Sequence, residues 1–461
     1  MSLSDTIAAI ATPRGEGGIG IVRVSGALAV PIACKIFRSP RHISPAQFST
    51  HTLNYGRVVN PVSNAVIDEV MLGIMLAPKS YTAEDVVEFN CHGGVIPLQQ
   101  VLELTLRAGA RLAEPGEFTK RAFLNDRLDL AQAEAVVDLI QSQTELNFRV
   151  AMDLLSGKLS QEVNALSDRL ADLLAEVEAS IDFPDEDLDF IDLAAARKSA
   201  EAILNGLNRL MATAPDGKIL REGARVAILG KPNVGKSSLL NALLQQERAI
   251  VTEIPGTTRD TIEEPLNLRG IPLKLIDTAG IHQTEDVVER QGIVRSKSYL
   301  DGADLLLVMF DASQPLTEAD RQLLDAVNRS NAIFILNKVD LPVVTTIATL
   351  QTYAPQNSVV KTSVLYGDGI EDLKTAVLKE ILKGRETISE GVIVTNIRHY
   401  EALRRAKIAL EQARDSLFQA QSHDLIAVDL RTSLDCLGEI VGKITAEDIL
   451  DRIFSQFCIG K

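Results

Sequence analysis

Cysteine is scarce in this chain: four in 461 residues, Cys34, Cys91, Cys436 and Cys458, none in a CxxC pair. That spacing excludes a disulfide framework and the usual structural zinc sites, and it fits a reducing compartment. Basic residues are also in deficit. Forty-seven Lys and Arg against 62 Asp and Glu leave a formal charge of −15, which argues against broad, non-specific nucleic-acid binding, a mode that needs surplus cations to displace counterions. A nucleic-acid partner would have to be met by a local basic patch. No apolar run approaches the ~20 residues of a membrane span, and no signal peptide is visible. The expectation is a cytoplasmic protein with no membrane association. What remains is ordinary for a globular chain, 46% hydrophobic and 24% charged, with length for two to four domains.

The chain is organised around Gly230-Lys231-Pro232-Asn233-Val234-Gly235-Lys236-Ser237, which follows the apolar run Val226–Leu229 and precedes a helix-compatible segment, Ser238 to Leu244. Two glycines let backbone N–H groups curl around an anion, a lysine reaches the β- and γ-phosphates, and a hydroxyl is available to Mg²⁺. Three further signals follow. Asp277-Thr278-Ala279-Gly280 closes the apolar run Leu273 to Ile276, where a carboxylate can hold Mg²⁺ through water and a glycine N–H can sense the γ-phosphate. Asn337-Lys338-Val339-Asp340 follows Ala332 to Leu336; a fixed carboxylate at Asp340 accepts from guanine N1 and N2, so the nucleotide is GTP rather than ATP. Thr257-Thr258-Arg259-Asp260 lies between the first two motifs, where a threonine can reach Mg²⁺.

In chain order, residues 1–118 read as an α+β domain. Its strands are expected at Ile7 to Ala11, Ile19 to Val24, Val70 to Leu76 and Val86 to Phe89, covered by helices Ala27 to Phe37 and Pro97 to Ala108. Gly15 to Gly20 and His92-Gly93-Gly94 are places for close backbone approach to a ligand, or plain glycine turns. From Thr119 the pattern turns helical: Leu146, Val150, Leu154, Leu159, Val163, Leu166, Leu170, Leu173, Val177 and Ile181 predict one long amphipathic helix. A helix from Leu193 to Met211 leads into Ala214-Pro215-Asp216-Gly217, read as a turn at a domain boundary. The nucleotide domain, 218–384, alternates strands and helices as a doubly wound parallel sheet does. Helices return at Tyr400 to Gln419, Leu425 to Val441 and Ala446 to Phe457. This predicts helical segments 119–217 and 385–461 forming one discontinuous domain around an inserted P-loop (Ras-like) GTPase. The basic run Arg398, His399, Arg404, Arg405, Lys407 and Arg414 reads as a solvated helix face before it reads as a tRNA surface.

With these residues in view, the chain resembles the tRNA modification GTPase family MnmE (TrmE) from end to end. The resemblance is carried by Gly116-Glu117-Phe118, Arg121 to Asp126, Leu128 to Ala135, the Gly256-Thr257-Thr258-Arg259-Asp260 switch, and Phe457-Cys458-Ile459-Gly460-Lys461. It implies an amino-terminal domain like the folate-binding domains of one-carbon enzymes, forming a constitutive homodimer, and GTPase domains that pair when GTP is bound. It implies a heterotetramer with the flavoprotein MnmG (GidA), which carries FAD. Together they would add an aminomethyl or carboxymethylaminomethyl group to the wobble uridine of certain tRNA substrates, with a tetrahydrofolate derivative supplying the carbon.

Residue roles follow from the same resemblance. Folate would be bound by Arg23, Glu88, Arg127 and Lys461, with Arg127 where a relative may carry Lys; a guanidinium forks where an ammonium points. GTP would be held by Asn233, Val234, Gly235, Lys236, Ser237 and Ser238; by Thr252, Glu253, Ile254, Pro255, Gly256, Thr257 and Thr258; by Asp277, Thr278, Ala279 and Gly280; and by Asn337, Lys338, Asp340, Thr362, Ser363 and Val364. Ser237 and Thr258 would ligate Mg²⁺, and Asn233, Thr252, Ile254 and Thr257 would enclose K⁺ in the place of an arginine finger. Ile281 stands where many small GTPases have a water-positioning glutamine; the resemblance assigns that work to Glu289. Asn233, Lys236 and Glu289 would be catalytic in GTP hydrolysis. Cys458 is either a core filler or a thiolate beside the folate and the tRNA base. The rival reading is a regulatory switch GTPase that binds the ribosome or an assembly factor and modifies nothing.

Overall fold

The computed structural model describes residues 5–13, 15–182, 192–247, 263–276, 302–327, 331–384, 387–388, 391–419, 422–444 and 447–461. It divides into two compact units: residues 1–137, 154–167 and 434–461 form one, and residues 138–153 and 168–433 the other.

The first unit is built on a seven-stranded sheet in the order β3-β4-β5-β6-β2-β1-β7. The strands are β1 (Ile7–Ile10), β2 (Gly17–Ser25), β3 (Phe37–Arg38), β4 (Thr52–Val59), β5 (Val66–Met75), β6 (Val86–Gly93) and β7 (Arg111–Leu112). All neighbours pair antiparallel except β1 and β7, which run parallel. Side chains alternate across a sheet, and the two faces are covered differently. Ala8, Val22 and Val24 share a core with α1 (Ala29–Ile36) and α2 (Val95–Arg107). Ile7 and Ala9 point the other way and meet Phe118 of α3 (Glu117–Leu124) and Tyr81. On that second face Arg23 of β2 stands opposite Glu88 of β6. The helices α4 (Leu130–Ile140), α5 (Glu145–Leu155) and α6 (Lys158–Asp182) follow; residues 138–153 and 168–182 of this stretch belong to the second unit. Leu130, Ala133 and Val136 of α4 bury against Leu450, Phe454 and Phe457, so the last helix of the chain closes this unit.

A buried ion network ties the unit together. Arg121, 2% exposed, bonds Asp5, Glu84 and Glu117, and Arg111 bonds Asp5 and Glu117. Burial raises the Glu117 carboxyl, and the two guanidinium groups outweigh it, leaving the group below its ordinary range.

The second unit holds α7 (Leu193–Ala212), α8 (Ala214–Glu222), and a six-stranded sheet ordered β13-β12-β11-β8-β10-β9. Its strands are β8 (Ala224–Gly230), β9 (Glu263–Leu268), β10 (Ile271–Ile276), β11 (Leu305–Asp311), β12 (Ala332–Asn337) and β13 (Ser358–Thr362). The helices α9 (Lys236–Glu247), α10 (Glu318–Val327), α11 (Ile347–Tyr353) and α12 (Ile370–Ile381) come between them, and two buried clusters flank the sheet. After it come α13 (Ile397–Phe418), α14 (His423–Val441) and α15 (Glu447–Phe454). The helix before the sheet and the helix after it pack together: Arg197 of α7 donates to Leu417 O and lies over Phe418, both on α13.

Four details differ from the sequence reading. The expected long helix is two helices broken at Ser156-Gly157, where Gly157 takes a φ of +85°; the apolar period slips there, with five residues from Leu154 to Leu159 against threes and fours elsewhere. Ala214 to Gly217 is the start of α8, with proline in its first turn, a position that suits proline because its missing N–H has no helical acceptor. Strand β9 runs antiparallel to β10 at the sheet edge, so the sheet is not purely parallel, and Pro265 within it is tolerated there. Strand β4, with Gly56 and Arg57 in its middle, falls outside the apolar runs that marked its neighbours.

Candidate functional site

The nucleotide motifs meet at the carboxyl ends of β8 and β12. The loop from Gly230 to Gly235 joins β8 to α9, and its bend needs positive φ at Asn233 (65°) and Gly235 (107°). A side chain at 235 would stand 2.4 Å from Asn337 Nδ2, so only glycine lets the two motifs come this close. Lys236 folds back over the loop, donating to Gly230 O at 2.8 Å and Lys231 O at 2.7 Å. Asn233, Ser237 and Ser238 are exposed around it, and Val234 is buried beneath.

Asn337 is buried and fully engaged: its Nδ2 donates to Val234 O at 2.8 Å, and its Oδ1 accepts from Val364 N at 3.1 Å and Thr362 Oγ1 at 3.2 Å. One amide thus joins the phosphate loop to the loop after β13. Ser363 Oγ donates to Asp340 Oδ1 at 2.5 Å, turning an exposed carboxylate toward that same loop. Lys338, at a φ of +65°, places its ammonium 2.7 Å from Asp311 Oδ2. Burial raises the Asp311 carboxyl, and Lys338 and Ser313 more than reverse this, leaving it below the usual carboxylate range. Lys231 reaches out of the phosphate loop to Asp320, and to Thr317 Oγ1 at 2.5 Å. Asp320 in turn accepts from the backbone N–H and hydroxyl of Thr317 and caps α10. Thr252, Glu253, Ile254, Pro255, Gly256, Thr257, Thr258, Asp277, Thr278, Ala279, Gly280 and Glu289 lie outside the described residues.

A second cluster lies on the face of the first sheet away from α1 and α2. Arg23 Nε donates to Glu88 Oε1 at 2.8 Å, and its Nη1 lies 3.5 Å from Gly460 O. The guanidinium sits 5.4 Å from the Tyr81 ring centre and 5.6 Å from that of Phe118. Arg127 shares the Tyr81 ring at 5.1 Å and donates to Tyr81 O at 2.8 Å. Residues 458–461 are stitched in by backbone bonds. Phe118 N donates to Lys461 O at 3.2 Å, Gly116 N to Cys458 O at 3.5 Å, and Ile459 bridges Pro115. Burial pushes the half-buried Lys461 ammonium down and the Arg23 charge adds to it, against Glu88 and Cys458. Arg23, Glu88, Arg127 and Lys461, scattered over the sequence, are therefore brought together, with Cys458 exposed alongside. By contrast Cys91 is buried, its thiol pushed up to about 12 by burial and by Asp68.

Sequence reasoning missed Tyr81 and Asp311, which hold the predicted residues Arg23, Arg127 and Lys338, and Asp320, which holds Lys231 of the phosphate-loop motif. The only signal for Tyr81 was an aromatic set in the polar stretch Ser80 to Asp85. The basic run on α13 is a paired surface: Arg404 bonds Glu401, Lys407 lies 3.7 Å from Glu411, Arg414 bonds Asp415, and His399 is buried. Among the described residues no group of three or more His, Cys, Asp or Glu is placed to hold a metal ion. No described helix is long and apolar enough to cross a membrane.

Comparison with known proteins adds the following. A family profile described as MnmE helical domain matches residues 130–458, and one described as GTP-binding protein TrmE N-terminus matches residues 6–127. The tRNA modification GTPase MnmE of Alkaliphilus oremlandii is 48% identical over 461 residues, covering all of both chains. That of Geobacillus kaustophilus is 48% identical over 462 residues, again covering all of both. That of Enterococcus faecalis is 47% identical over 99% of this chain and 98% of its own. Among solved structures, the G domain of the T. maritima FeoB iron transporter aligns with 34% of this chain and 98% of its own, at 29% identity and a TM-score of 0.27.

Proposed function

This chain belongs to the MnmE (TrmE) family of tRNA modification GTPases, and from that membership we propose how its residues divide the work. The protein is a GTPase that takes part in tRNA modification. In the proposed reading the phosphate loop, Asn233 to Ser238, wraps the phosphates and Lys236 leaves its carbonyl partners to meet their charge. Asn337, Lys338 and Asp340 read the guanine with Thr362, Ser363 and Val364 behind them. Ser237, an exposed hydroxyl on the first turn of α9, is the hard oxygen donor that Mg²⁺ takes, with Thr258 as its second. Asn233 is exposed on the same loop and would offer its amide oxygen to K⁺, together with Thr252, Ile254 and Thr257. A cation there supplies the charge stabilisation that an arginine finger gives elsewhere. In the same reading Glu289 orients the water, and Asp277 holds Mg²⁺ through water.

The domains proposed are 1–118 for folate binding and dimerisation, 119–217 with 385–461 as the helical domain, and 218–384 as the inserted GTPase. The cluster of Arg23, Glu88, Arg127 and Lys461 is proposed to hold a tetrahydrofolate derivative. Three cations and one carboxylate, with Arg127 exposed and the other three partly buried, suit a ligand that carries both carboxylates and ring N–H donors. Cys458, exposed at its edge, is proposed to face the tRNA base. With the FAD-bearing partner MnmG, the homodimer would install the aminomethyl or carboxymethylaminomethyl group on the wobble uridine, in the cytoplasm.

The observation that carries this reading is the full-length identity of 48% together with the motif residues named above. Replacing K⁺ with Na⁺ is expected to depress GTP turnover strongly and leave GTP affinity nearly unchanged; equal turnover in both salts removes the K⁺ site. Analysis of tRNA nucleosides from a strain lacking the gene is expected to show loss of the wobble-uridine modification. Unaltered nucleosides would favour the switch GTPase instead.

A further inference from the structure

We propose that Tyr81 is the positioning residue of the basic cluster on the first unit: one aromatic ring, bonded to α3 through its hydroxyl, holds both Arg23 and Arg127. The inference rests on the folate reading for its ligand, but the geometry that motivates it does not. Two guanidinium groups placed near one ligand repel each other and, left alone, would swing apart into water. Here both lie over the same ring, at 5.4 Å and 5.1 Å from its centre. The negative face of an aromatic ring attracts such cations, and more strongly where water is thinned. Arg23 is only 15% exposed at its side chain, so its contact is the stronger of the two; Arg127 is exposed.

The ring itself is not free to turn. Its hydroxyl is 2.8 Å from Thr119 Oγ1, a buried threonine on α3. The loop that carries it is gripped on both sides: Asn125 Nδ2 donates to Thr82 O at 2.7 Å, and Arg121 bonds Glu84, which also accepts from Ser25. Arg127 adds a bond to the Tyr81 carbonyl itself. The run from Thr119 to Arg127 therefore supplies both a cation of the site and the clamp that aligns it. Glu88 and Gly460 bond Arg23, whereas the contacts of Arg127 are with the ring and carbonyl of Tyr81.

The test uses full-length protein and the variants Tyr81→Phe, Tyr81→Leu and Thr119→Val, with 5-formyltetrahydrofolate as the probe in calorimetry. In parallel, the rate at which phenylglyoxal modifies Arg23 and Arg127 is followed by mass spectrometry without ligand. Tyr81→Leu is expected to bind the probe about tenfold more weakly or worse, the loss of two cation–ring contacts, and both arginines should be modified several-fold faster. Tyr81→Phe keeps the ring and should stay within about threefold of wild type on both measures, and Thr119→Val should fall between. Wild-type affinity and modification rates in Tyr81→Leu would overturn the proposal, as would a Tyr81→Phe variant as impaired as Tyr81→Leu. Should Tyr81→Leu fail to fold, judged by circular dichroism, the graded pair Tyr81→Phe and Thr119→Val decides through the modification rates. If the wild type binds no folate, the ligand assignment fails, and those same rates still decide the role of the ring.

Discussion

Asp311 shows what a single residue contributes that motif reading does not reveal. It sits 27 positions from Lys338 in the chain and pairs with it in space, so no spacing rule announces it. Its folded carboxyl titrates below the ordinary range, while in the unfolded chain it returns to about 3.9. The sign follows from proton linkage: the stabilisation is complete above the unfolded value and is lost as pH falls through the folded one. The urea midpoint of Asp311→Asn should therefore lie below that of wild type at pH 7. The gap should narrow as pH drops below about 4. A gap that is constant from pH 7 to pH 3 would reject the pair as the cause. Asn337, Lys338 and Asp340, by contrast, lie within four positions of one another at the end of β12, so their closeness was legible in the sequence.

Among the elements, those whose signal is local were read correctly. Strands β8, β10 and β12 are largely apolar, as buried parallel strands are, and the apolar runs Val226–Leu229, Leu273 to Ile276 and Ala332 to Leu336 marked each to within two residues. Elements whose identity depends on a neighbour were not. Strand β9 pairs with the edge that β10 offers, and the α5–α6 break shows in the sequence only as one five-residue step, Leu154 to Leu159, in an otherwise regular helical period. One contact between elements has a direct kinetic consequence. Lys231 anchors the phosphate loop to the capped start of α10 through Asp320, 7% exposed, and Thr317. Lys231→Met should loosen the loop in free and bound enzyme alike. We expect KM for GTP to rise about fivefold, the equivalent of ~1 kcal/mol, with kcat almost kept. Initial rates over a range of GTP concentration check this, and an unchanged KM would dismiss the tether.

At the scale of the whole molecule, the α/β nucleotide unit was plain from four ordered motifs, and helices on both sides of it were plain from their period. That Arg23, Glu88, Arg127 and Lys461 would meet was not readable from the residues themselves, since nothing local links positions so far apart; only the family resemblance supplied it. The joint is Gly460. At a φ of +99° it brings residue 460 against β1, where a Cβ would stand 2.3 Å from Ile10 O. Gly460→Ala should lift residues 458–461 from α3 and weaken binding of 5-formyltetrahydrofolate by about tenfold or more. Thermal unfolding of the nucleotide unit should be unaltered. Calorimetric titration and a thermal scan measure the two effects, and unchanged folate affinity would mean that the tail is dispensable.

The bond from Arg23 to Gly460 spans 437 positions, whereas the pairing of Arg23 with Glu88 spans 65. Loop-closure entropy rises with the logarithm of that separation, so the nearer pairing is the cheaper one to make. During refolding the β2–β6 register that sets Arg23 against Glu88 should therefore form before the contact with Gly460, and the cluster should be completed by its most distant member.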